Sequence, residues 1–84
     1  NYQLIENEML KKIISLEPDN FINYFYLGEN EFDNNNYQKA IQYYQETLNL
    51  NSSNTFKYYS QYKMGICNKN LNSKWSDILQ ILLE

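Results

Sequence analysis

Residues 21–54 read FINYFYLGENEFDNNNYQKAIQYYQETLNLNSSN. Two amphipathic stripes flank an asparagine-rich corner in this stretch. Tyr24, Leu27, Gly28 and Phe32 recur three and four residues apart, the spacing of one helix face, and predict a helix over about 20–33. Asp33-Asn34-Asn35-Asn36 interrupts the stripe, and asparagine both tolerates left-handed backbone and bonds its own chain locally. Ala40, Ile41, Tyr44 and Leu48 restart it, predicting a helix from Tyr37 to Leu50, and Asn51-Ser52-Ser53-Asn54 forms the next corner. Gly28 and Ala40 lack bulk, so another backbone can approach closely at each. Tyr24 and Tyr44 supply volume on either side.

Outward from this pair the same grammar continues. Upstream, Ile5, Met9, Leu10, Ile13, Ile14 and Leu16 form an amphipathic stripe. Pro18 stops that helix near Leu16, and Asp19 or Asn20 can cap the next. Downstream, Tyr58 or Tyr59, Tyr62 and Ile66 predict a fourth helix over about 55–69. Asn70 to Ser73 is read as a break, with Ser73 capping a fifth helix from about Lys74. No stretch alternates with period two for long enough to make a strand. The expected fold class is all-α, about five short antiparallel helices in a helix–turn–helix solenoid. Residues 14–20 superpose on 48–54 at an offset of 34, which marks an internal repeat.

With those residues in place, 21–54 resembles the tetratricopeptide repeat family. Tyr24 stands at the family's usual Trp, Leu27-Gly28 at its Leu-Gly pair, and Tyr37, Ala40, Tyr44, Leu48 and Leu50 at its second-helix positions. Glu31 departs where the family prefers Tyr, Thr47 replaces Ala and Ser52 replaces Pro. The resemblance implies one domain: 2–20 as the second helix of a partial repeat, 21–54 as a full repeat and 55–84 as a degenerate one anchored on Met64-Gly65. Trp75, Ile78 and Leu82 then fall near the packing positions of its last helix. The family's concave face, lined by the first helix of each unit, implies Ile22, Phe25, Tyr26, Glu29 and Phe32. From the following unit it implies Tyr59, Tyr62, Lys63, Ile66 and Lys69. Relatives that bind a chaperone's C-terminal carboxylates use Lys and Asn where this chain has Phe25 and Glu29, so that activity is not expected.

Composition sets the outer bounds. The chain has 84 residues and a formal charge of −3, so it makes at most one small domain. It has no histidine and one cysteine, which removes imidazole bases, the usual zinc and haem ligand sets and any internal disulfide. No metal, cofactor or catalytic residue is expected. Glu29, Glu31 and Asp33 read as a solvated helix face and Cys67 as a small buried residue at a helix crossing. Asn51-Ser52-Ser53 is a glycosylation triplet of the kind that Asn-rich chains produce by chance. Lys57, Lys63, Lys69 and Lys74 lie among Tyr58, Tyr59 and Tyr62, yet the acidic balance and lack of a basic stripe argue against nucleic acid. No apolar run is long enough to insert in a membrane. Heavy use of Asn, Lys, Ile and Tyr without arginine or valine reflects an AT-rich genome. Asn1 in place of Met leads us to expect a piece of a longer protein, and the lack of disulfides weakly favours the cytoplasm.

The expected function is a protein–protein interaction scaffold that binds a peptide or helix in a concave aromatic groove, and not an enzyme. Two alternatives stand beside it: a self-assembly module of a larger protein, and an accessory regulatory domain of a larger enzyme. The self-assembly reading rests on Ile78, Leu79, Ile81, Leu82 and Leu83, which make the last helix apolar nearly all round and point to a homo-oligomer.

Overall fold

The computed structural model describes residues 2–50 and 52–83, with side chains described for 5–50, 52–73 and 77–83. Four helices follow one another: α1 (Tyr2–Leu16), α2 (Phe21–Asp33), α3 (Tyr37–Asn49) and α4 (Asn54–Leu83). There is no strand among the described residues. Neighbours in sequence pack against each other, and α2 also touches α4.

The boundaries follow local chemistry. The chain leaves helical geometry right after Leu16, one residue before Glu17-Pro18. The Asn20 side chain then accepts from the Ile22 amide at 3.2 Å and starts α2. At the end of α2, the amides of Asn34, Asn35 and Asn36 donate to the carbonyls of Asn30, Phe32 and Glu31. Asn35 makes the reversal with φ +62°, in the left-handed region that asparagine tolerates.

Between α2 and α3 the close crossing is real. A methyl group added at Gly28 would sit 2.9 Å from the Tyr44 ring, so the ring occupies the space that glycine leaves open. Tyr44 and Ala40 are fully buried and form the core with Phe25 and Cys67. Phe32, Tyr37, Ile41, Phe56 and Met64 pack around it. Thr47, in the place of the usual small residue, is also fully buried, and its hydroxyl donates back to the Tyr43 carbonyl at 3.0 Å.

One boundary differs from expectation. Asn70 to Ser73 does not break the chain; α4 runs unbroken for 30 residues, about 45 Å at 1.5 Å per residue. Asn70, Asn72 and Ser73 have modest helix propensity, but Leu71 is a strong helix former and none of the four is a Gly or Pro that would force an end. The Asn70 amide donates to the Ile66 carbonyl at 3.0 Å, one turn back, so it stays within the helix. The predicted fourth and fifth helices are therefore one rod, and Gly65, the expected crossing point, has nothing within 4 Å of its added Cβ. Of the predicted corner before α4, Ser52 and Ser53 are non-helical and Asn54 begins α4, while Asn51 lies outside the described residues, as does the Trp75 side chain.

Candidate functional site

The concave-face residues implied by sequence divide between the core, the α2–α4 seam and the open surface. Phe25 belongs to the core, with 8% of its surface exposed. Its ring meets Phe56 at 5.0 Å, edge-on, and lies 5.6 Å from Tyr59 and 6.1 Å from Tyr44. Phe21 adds a second edge-on contact to Phe56 at 5.2 Å. Ile66 and Phe32 are half-buried. Tyr26, Tyr59 and Tyr62 are exposed at 48%, 42% and 62%, and Ile22 stands at the edge of exposure. Lys69 is exposed as well.

A charged core links the three helices below these tyrosines. Glu29 on α2 accepts a hydrogen bond from the Tyr44 hydroxyl on α3 at 2.5 Å. Lys63 on α4 places Nζ 3.7 Å from the same carboxylate oxygen, with only 13% of its side chain exposed. That ammonium also lies 3.8 Å from the Phe32 ring centroid and 5.5 Å from that of Tyr59. Burial, reinforced by the bond to Glu29, pushes the Tyr44 phenol far above its ordinary value. Burial also raises the Cys67 thiol, against the opposing pull of Lys63. Cys67 is thus a neutral core residue, as the sequence implied.

Phe25, Glu29, Thr55, Phe56 and Tyr59 line an open depression of about 300 Å³ between α2 and α4. Its walls are aromatic with one carboxylate edge. Phe56 and Thr55 were not singled out from sequence. The signal was present, since Phe56 lies three residues before Tyr59 and seven before Lys63, on one face of α4.

The expectation of a solvated acidic face holds for Asp33, which is exposed, and fails for the two glutamates. Glu29 is tied to Tyr44 and Lys63. Glu31 is buried, and its two oxygens accept from the Asn7 and Asn36 amides at 3.4 and 2.9 Å, while Asn30 donates to Asn7 at 2.8 Å. Where the family prefers a tyrosine, this chain clamps α1 to α2 with amides around a carboxylate.

At the far end of α4, Ile78, Leu79, Ile81, Leu82 and Leu83 are all exposed, from 48% to 86%. Among the described residues, no three His, Cys, Asp or Glu side chains are grouped to hold a metal, and no helix is long and apolar enough to cross a membrane.

No curated protein and no solved structure matches the chain. Residues 22–54 match the family model of the tetratricopeptide repeat, the stretch that forms α2, the Asn34–Asn36 corner and α3. This stretch is thus similar to a tetratricopeptide repeat, and the ring of Tyr44 seated at Gly28 is the close helix crossing that the similarity implies.

Proposed function

We propose that the chain is a non-catalytic module that binds an extended peptide or a helix of a partner across the α2–α4 face. Tyr26, Tyr59 and Tyr62 are the exposed anchors, with Ile22 at the rim and the depression over Phe25 and Phe56 receiving an apolar side chain. Phe32, Lys63, Ile66 and Glu29 hold those anchors in place from below. The observation that carries the reading is this run of exposed tyrosines over a wall already stiffened by the Glu29–Lys63 pair. Rigid aromatic surface gives contact area at little ordering cost, and hot spots concentrate in such residues. Soluble monomers seldom expose contiguous apolar surface without a use for it.

Selection from a random peptide display library, followed by calorimetry on an enriched peptide, tests this. Tyr62→Ala and Tyr26→Ala leave the core intact and should each weaken binding about tenfold or more, some 1.4 kcal/mol or above. Failure to enrich any sequence, or an affinity indifferent to both changes, rules the groove out.

A further inference from the structure

Gly65 and residues 77–83 carry the two halves of a packing unit that α4, as one unbroken rod, does not close on itself. Gly28 receives the Tyr44 ring, whereas the equivalent space at Gly65 is empty and open. The helix that fills the first notch presents Ala40, Ile41 and Tyr44, and Ile78, Leu79 and Leu82 repeat that spacing. Tyr44 follows Gly28 by 16 residues and Leu82 follows Gly65 by 17. In the first unit the Asn34–Asn36 corner folds the second helix back onto the first. In α4 no corner intervenes, so Leu82 lies about 25 Å along the same rod from Gly65. The complementary side chains stay bare, Ile78 at 48%, Leu79 at 53% and Leu82 at 76% exposure.

We propose that the notch at Gly65 is filled by residues 77–83 of a second copy, and reciprocally, so that two α4 rods pair antiparallel in a closed two-fold dimer. With Gly65 of one rod opposite Leu82 of the other, Asn68 falls opposite Leu79, and the symmetry axis passes between Ser73 and Lys74. Gly65, Asn68, Asn72, Leu79 and Leu82 then lie on one seam, three, four, seven and three residues apart, which is the heptad register of paired helices. A straight helix carries Leu82 about 100° round from Gly65, and the drift of ~20° per heptad in a left-handed pair removes about half of that. The small and polar half of each seam meets the large apolar half of the other, along an open depression of about 530 Å³ lined by Gly65, Asn68, Asn72 and Ser73 with the charged Lys69 and Asp77 beside them. Because each copy gives and receives the same segment, the contact closes at two.

Sedimentation of the 84-residue chain across the micromolar range tests this together with Gly65→Leu and a cysteine placed at Asn72. The dimer is expected in the parent chain. In Gly65→Leu it should weaken about tenfold or more with helical content unchanged, since the new side chain meets nothing within its own chain. Asn72→Cys treated with a short bis-maleimide should give a covalent dimer, which the parent, with its buried Cys67, does not. A strictly monomeric parent chain overturns the proposal, because residues 77–83 then either stay bare or fold back within one copy. A Gly65→Leu variant that dimerises as tightly as the parent overturns it in favour of a tail-to-tail contact. Growth beyond two copies overturns it in favour of end-to-end stacking.

Discussion

At the scale of single residues, Tyr44 holds the molecule together. Its ring fills the Gly28 space and its hydroxyl gives Glu29 a buried donor. The raised phenol has a stability consequence with a definite sign. Below pH 10, the ordinary phenol value, both folded and unfolded chains keep the proton and this group contributes no pH dependence. Above it the unfolded chain loses a proton that the folded chain retains. Stability therefore falls by about 1.4 kcal/mol per pH unit from this group alone. Cys67, also raised, acts in the same direction. Urea unfolding followed from neutral to strongly alkaline pH should show the decline, and Tyr44→Phe should flatten it, leaving the part due to Cys67. An identical slope in the variant would place the effect elsewhere.

Among elements, the sequence made some boundaries plain and hid others for reasons that differ in kind. Pro18, Asn20 and Asn35 act on their own backbone, so their effects were readable where they stand. The unbroken α4 was not, because Asn70 can either end a helix or bond back one turn within it, and only the surrounding structure selects. Phe25 was placed on the groove by its position in the repeat, yet Phe56 from the next unit caps it. Glu31 was misread because its partner Asn7 lies 24 residues away, with no spacing rule to connect them. The clamp between α1 and α2 follows from that same residue. Glu31→Ala strips the acceptor from two amides and should cost about 1–3 kcal/mol in denaturant unfolding, with Glu31→Gln costing less because one acceptor remains. Equal, negligible costs would mean that water replaces the carboxylate freely.

Taken as a whole, the molecule is long for its size. Its radius of gyration is 14.8 Å, with extents of 52 × 31 × 15 Å, against about 12 Å for a compact chain of this length. The excess comes from α4 running on past its partners. Because every described side chain from Asp77 to Leu83 is exposed, ending the chain at Asp77 should leave thermal stability within about 0.5 kcal/mol when measured in dilute solution. A larger loss would mean that the tail packs on the core.

The two polar centres also divide the molecule in time. Tyr44, Glu29 and Lys63 tie α2, α3 and the first half of α4 to one point, so none of the three can open without the others. The first helix hangs from α2 by an amide–carboxylate lattice and Leu10, with Ile5, Met9 and Leu16 turned to solvent. Local opening is easiest where buried apolar contacts are few. Amide protons of α1 should therefore exchange with solvent well before those around Tyr44, and the chain would behave as a three-helix cooperative unit carrying a detachable leading strap.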